Sequence, residues 1–141
     1  MNQEPIIDRS QDPLGFAREV VGKDPFATFL GIEVEEVRDA YSRVSLTIRD
    51  DYCNAGVRTH GGVIFSLADQ AFAVACNSRG YQAYALEVKI DYLRATGPGD
   101  RIVAEATPVH IGKRVSLWNL AVRTDSGEMV AAAQGLAYHF V

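Results

Sequence analysis

Asp69 is the residue of this sequence that most needs a chemical reason. It stands in a run from His60 to Gly80 that opens on Gly61-Gly62 and closes on a glycine. Between Gly61 and Ser78 the run is apolar or small apart from Asp69, Gln70 and Asn77. Burying an unpaired carboxylate costs several kcal/mol, which rivals the net stability of a domain. Two readings are open. Asp69 is a structural acid satisfied by a hydroxyl, a backbone amide or a cation, or it faces a cleft and works as a general base or nucleophile. The glycine pair at the start of the run suits the second reading. A helix that begins there offers unpaired N–H groups and the positive end of its dipole. Glycine also lets a bound group approach that backbone closely. Donors placed this way stabilise an oxyanion, and losing one typically raises a barrier by about 3 to 4 kcal/mol.

The elements that hold these residues follow from periodicity. Val63, Ile64, Leu67, Ala68, Ala71, Val74 and Ala75 recur at helical spacing. Phe65, Phe72, Ala73 and Cys76 fill most of the remaining circumference, so the spacing predicts a buried helix. Before it, Asp12-Pro13 and Asp24-Pro25 start two short helices, Pro13 to Val21 and Pro25 to Leu30, stopped by Gly22 and Gly31. Residues 1–11 are polar and expected to fray. Ile32 to Val37 and Ser42 to Ile48 read as an antiparallel pair, and residues 50–59 as a polar loop. After Gly80 the period becomes two. Strands are expected at Ala83 to Leu93 (with Leu86, Val88, Ile90 and Tyr92 on one face), Arg101 to Ile111, Val115 to Thr124 and Glu128 to Phe140. Gly135 suggests a bulge or close packing. His110 and His139 are expected at the surface or an edge. Strands do not alternate with helices, so the class is α+β with an antiparallel sheet, which covers such a helix only by curling round it.

The chain has 141 residues, enough for one domain, with 1–31 as its N-terminal helical segment. Its net charge of −4 gives no electrostatic case for nucleic acid. Asp69 in mid-run and the small alanines argue against a membrane span. The acidic, polar N-terminus has no signal-peptide core, and Cys53 and Cys76 are not a CxxC pair, so a reducing cytoplasmic setting is expected. Three histidines and two cysteines show no metal-ligand spacing, and no metal is expected.

The run from Asn54 to Gly62, with Ser66 to Phe72 and Ala75 to Ser78, resembles the PaaI-like hotdog-fold acyl-CoA thioesterases. The resemblance extends to Phe29-Leu30-Gly31-Ile32, Asp91-Tyr92-Leu93-Arg94 and the Gly99-Asp100 and Gly112-Lys113 turns. It implies a curved antiparallel sheet around one long helix, dimers joined edge to edge, often tetramers, and no cofactor beyond the coenzyme A of the substrate. It implies hydrolysis of acyl-CoA thioesters, typically phenylacetyl-CoA or its hydroxylated forms. Asp69 then falls on the catalytic carboxylate, and Gly61 on the glycine whose N–H polarises the thioester carbonyl. Asn54 and His60 fall on residues lining the same site. A serine that some relatives carry after the helix is replaced here by Ala85.

Helix geometry adds a constraint. Gly61 and Asp69 are eight residues apart, or about 12 Å along an axis rising ~1.5 Å per residue. They cannot both reach one carbonyl and its attacking atom, which lie within about 3.5 Å of each other. If both act, they come from two subunits related by a two-fold axis. Coenzyme A needs a basic mouth, and Gly62, Arg94, Lys113 and Arg114 are the candidates for binding it, with Lys113-Arg114 foremost. Phe65, Phe72, Tyr84, Tyr92 and Trp118 are candidates for an acyl pocket, although most belong to the core. Two competing readings remain, a non-catalytic acyl-CoA-binding module and a hydratase. The first has no need of Asp69, and the second needs a histidine–acid pair that the spacing does not provide.

Overall fold

A computed structural model describes residues 6–140. Among the described residues there are three α-helices and six strands, with a π-turn at Ala17–Val21 and a 3-10 turn at Asp50–Tyr52. Helix α1 (Pro13–Phe16) runs on as one π-turn, Ala17–Val21, and α2 spans Pro25–Leu30. Strands β1 (Glu33–Arg38) and β2 (Tyr41–Thr47) precede the long helix α3 (Gly61–Cys76). Strands β3 (Gln82–Tyr92), β4 (Arg101–Ile111), β5 (Val115–Thr124) and β6 (Met129–Phe140) follow it. The short helices form where the cap signals place them. Asp24 accepts the Ala27 N–H at 2.9 Å, Pro25 opens α2, and Gly31 closes it at φ +81°. Residues 1–5 of the expected frayed segment lie outside the described residues. Residues 8–12 are not frayed: the Asp8 carbonyl accepts the Gln11 and Asp12 N–H groups.

The sheet is antiparallel, in the order β1-β2-β4-β5-β6-β3, and α3 packs against all six strands. This is the helix-in-curved-sheet arrangement that the sequence leads one to expect. One connection differs from a simple meander. Strand β3 does not pair with β4; it lies beyond β6 at the far edge. The chain leaves the C-terminal end of α3 at that edge and returns to β2 only with β4.

Leu67, Ala71, Phe72, Trp118, Leu120 and Ile102 form the centre of the core, each at most 1% exposed. The Phe72 and Trp118 rings are tilted, with centroids 6.4 Å apart. Gly135 of β6 is the closely packed glycine: a Cβ there would lie 2.8 Å from the buried Phe72 ring. Neither wall can give way, so Gly135→Ala is expected to destabilise the fold by about 1–3 kcal/mol, read as a lower midpoint in urea unfolding.

Three expectations need correction. Helix α3 is not buried all round. Gly62 is exposed, and Phe65, Ser66, Asp69 and Ala73 are only part-buried, so one stripe of the helix lies outside the core. Leu86 does not share a face with Val88 and Ile90. A bulge between Ala85 and Glu87 shifts the register, leaving Leu86 59% exposed while Val88 and Ile90 pack on the core. His139 is buried, at 2% exposure, whereas His110 is exposed. Strand parity sends residues 135, 137 and 139 of β6 inward together. There the Ser116 hydroxyl accepts from Trp118 Nε1 at 2.6 Å and is hydrogen-bonded with His139 Nε2 at 2.5 Å. Burial lowers the His139 pKa, and Arg79 lowers it further.

Candidate active site

The first turn of α3 is held from several sides. His60 is the N-cap, and its Nδ1 accepts the Gly62 N–H at 3.1 Å. The His60 carbonyl accepts the Val63 N–H at 3.0 Å. The His60 N–H itself donates to the Tyr52 carbonyl at 2.8 Å, tying the helix start to the preceding 3-10 turn. Among the described residues nothing accepts the Gly61 N–H. His60 therefore orders the turn, Gly62 spends its N–H on that order, and the Gly61 N–H is left uncommitted.

Asn54 works on the loop leading into the helix. Its Oδ1 accepts from the Gly56 and Arg58 N–H groups, at 2.9 and 3.1 Å. That leaves the Nδ2 amide as the part of this exposed side chain able to donate outward. Val57 in the same loop has φ +58°, an uncommon conformation for a β-branched residue.

Gly61 lines a cleft of about 370 Å³ with Arg58, Thr59, Ile64, Tyr92, Leu93, Arg94 and Ala95. Asp69 lines a different one, of about 320 Å³, with Phe72, Ala73, Cys76, Ala83, Tyr84 and Ala85. Asp69 is half-buried and has no hydrogen-bond or ion-pair partner among the described residues. Burial raises its pKa above the ordinary carboxylate range, and the Asp24 carboxylate at the start of α2 raises it further. Cys76 in the same cleft is pushed up to about 12, chiefly by burial, so its thiol stays protonated and inert as a nucleophile.

Within one chain, then, the structure brings together His60, Gly61, Gly62 and Arg94 but leaves Asp69 apart, two helical turns along α3. Arg94 also pairs with Glu128 at 2.9 Å. Lys113 and Arg114 stand exposed in the β4–β5 turn. The Arg114 carbonyl accepts the His139 N–H, and His139 pairs with Ala83, which holds Asn77 after the helix. They therefore lie toward the C-terminal end of α3, away from Gly61. Of the aromatic candidates, Trp118 is wholly core, Phe72 is buried but reaches the Asp69 cleft, and Tyr84 and Tyr92 are more than half exposed. Arg58, inside the Asn54–Gly62 run, and Asp24, legible only as the start of α2, are neighbours of the site to which residue spacing assigns no chemical role. Among the described residues no group of three or more His, Cys, Asp or Glu could hold a metal ion. Nor is any helix there long and apolar enough to cross a membrane.

The sequence profile of the thioesterase superfamily matches residues 58–131. The chain is 35% identical over 115 residues to the acyl-coenzyme A thioesterase PaaI of Escherichia coli K12, covering 82% of each. The structure of E. coli PaaI superposes with a TM-score of 0.88 at 32% identity, covering 94% of this chain and 96% of that one. A mutant structure of the phenylacetic acid degradation protein PaaI from Thermus thermophilus gives a TM-score of 0.80 at 34% identity, covering 83% and 100%.

Proposed function

The chain belongs to the thioesterase superfamily and is a thioester hydrolase, and on that premise we propose that it cleaves aromatic acyl-CoA thioesters at two sites shared across a homodimer. The observation that carries this reading is the placement of the two functional groups along β3. Asp69 shares its cleft with Ala83, Tyr84 and Ala85 at the start of that strand. Gly61 shares its cleft with Tyr92 at the end of it. Strand β3 is an edge strand of 11 residues, and Tyr84, Leu86 and Tyr92 on it are all more than half exposed. A long apolar edge is a template for pairing. If two copies of β3 pair antiparallel about a two-fold axis near Val88, the start of one strand lies beside the end of the other. Asp69 of one subunit then faces Gly61 of its partner, twice over.

In each site the Gly61 N–H holds the thioester oxygen, and Asp69 takes a proton from water as that water attacks the carbonyl carbon. The resulting oxyanion collapses, the carbon–sulfur bond breaks, and the proton on Asp69 goes to the leaving thiolate. A raised carboxyl pKa suits a general base near neutral pH. Asn54, through its Nδ2, orients the water. Arg94 lies on the Gly61 side of each shared site, and Lys113 and Arg114 lie toward its Asp69 side, so the cations available to coenzyme A come from both subunits. Phe72 and Tyr84, with the small side chains of Ala73, Ala83 and Ala85, suit a flat aromatic acyl group beside Asp69.

Release of free thiol from a panel of acyl-CoAs tests the substrate. Phenylacetyl-CoA and hydroxyphenylacetyl-CoA should be turned over with the highest kcat/KM. Preference for long straight chains would overturn the aromatic assignment. No turnover of any acyl-CoA would favour the binding-module reading instead. Sedimentation should give a dimer or a multiple of it, never a monomer. The acid limb of the pH profile should lie above the usual Asp range, because protonating Asp69 removes the base. Asp24→Asn keeps the α2 cap but deletes a like charge, so it should shift that limb to lower pH; an unmoved limb would mean Asp24 does not tune Asp69.

A further inference from the structure

Tyr92 is the last residue of β3, yet it reaches the first residue of α3. Its hydroxyl donates to the Gly61 carbonyl at 3.1 Å. Its ring fills the space a side chain at Gly61 would need, since a Cβ there would lie 3.2 Å from the tyrosine Cζ. The need for such a tie follows from the sequence. Two consecutive glycines begin the helix, and each costs about 1 kcal/mol relative to alanine in helix formation. A first turn made of them lacks intrinsic stiffness, and its N–H groups have no intrahelical acceptors. His60 steadies the Gly62 side of the turn. The Gly61 carbonyl is held to the sheet by Tyr92.

We propose that Tyr92 is a positioning residue that acts through Gly61, its ring walling the Gly61 cleft and its hydroxyl fixing the Gly61–Gly62 peptide, which adjoins the His60–Gly61 peptide that carries the oxyanion donor. The inference rests on the thioesterase reading for its catalytic consequence, but not for its structural one. A donor helps a transition state only if it is already aimed, and a misplacement of about 1 Å can cost about 10²-fold in rate. Tyr92 supplies that aim from outside the helix.

Tyr92→Phe keeps the ring and removes the hydrogen bond. It should lower kcat by about three- to ten-fold on the best substrate, with KM and the melting temperature unchanged. Amide exchange should quicken at Gly61, Gly62 and Val63 and nowhere else. Gly61→Ala keeps the N–H but crowds the ring, which must shift by a few tenths of an ångström and strain its hydrogen bond, so Tyr92→Phe added to it should cost less than it does alone. Unchanged kcat in Tyr92→Phe, or losses that multiply independently in the double variant, would overturn the proposal. So would unchanged exchange at the first turn of α3. If the wild-type protein hydrolyses no acyl-CoA, the thioesterase reading fails separately, and the exchange result alone decides whether Tyr92 orders the turn.

Discussion

Asp69→Asn is expected to lower kcat by about 10²- to 10⁴-fold, the range lost with a general base, while the protein stays folded. The asparagine is nearly isosteric but cannot take a proton at neutral pH. The site tolerates the change because Asp69 has no hydrogen-bond partner among the described residues to lose. Burial already disfavours its charge, so removing that charge relieves a desolvation cost rather than creating one. Thiol release should fall by the stated factor, KM should change little, and the unfolding midpoint should hold or rise. Turnover within about tenfold of wild type, with an intact fold, would mean that Asp69 is not the base.

The second large effect comes from Gly61→Pro. Proline at the first helical position is well tolerated, because its fixed φ suits the helix and its missing N–H has no helical acceptor. His60, which precedes it, already has φ −62° and ψ 135°, the extended conformation proline demands of its neighbour. The change thus deletes the one uncommitted donor of the turn. A loss of about 10²- to 10³-fold in kcat is expected, with some added strain from the ring carbons against Tyr92. Mixing this variant with Asp69→Asn separates a shared site from a single-chain one. In a mixed dimer one site has Asp69 from the proline chain and Gly61 from the asparagine chain, and is intact; the other lacks both. Random reassembly of equal amounts should return about a quarter of wild-type activity, since half the dimers carry one working site of two. No return above the parent variants, with subunit exchange shown by mass spectrometry, would end the composite-site proposal.

Much of the frame was legible in local signals. Asp-Pro caps and Gly31 bounded the short helices because a cap is chemistry between near neighbours. The 3.6 and 2.0 periods placed α3 and the strands because burial is one-sided on each element. The motif residues around Gly61 and Asp69 stood out through the oddity of an acid and two glycines in a greasy run. The axial rise of a helix alone separated those two groups. Other features had no local trace. The bulge at Leu86 and the displacement of β3 to the far edge depend on which strands find each other, a contest between distant partners. His139 looked like a surface residue until strand parity and the Ser116–Trp118 pair supplied its buried hydrogen bond. Tyr92 meets Gly61 across 31 positions, and the Asp24 charge acts on Asp69 from a different helix. The sequence by itself determined which groups can do the chemistry, since that depends on residue type and spacing. Only the tertiary structure decided which of them meet and which neighbours tune them, because closing a long loop leaves no mark at either of its ends.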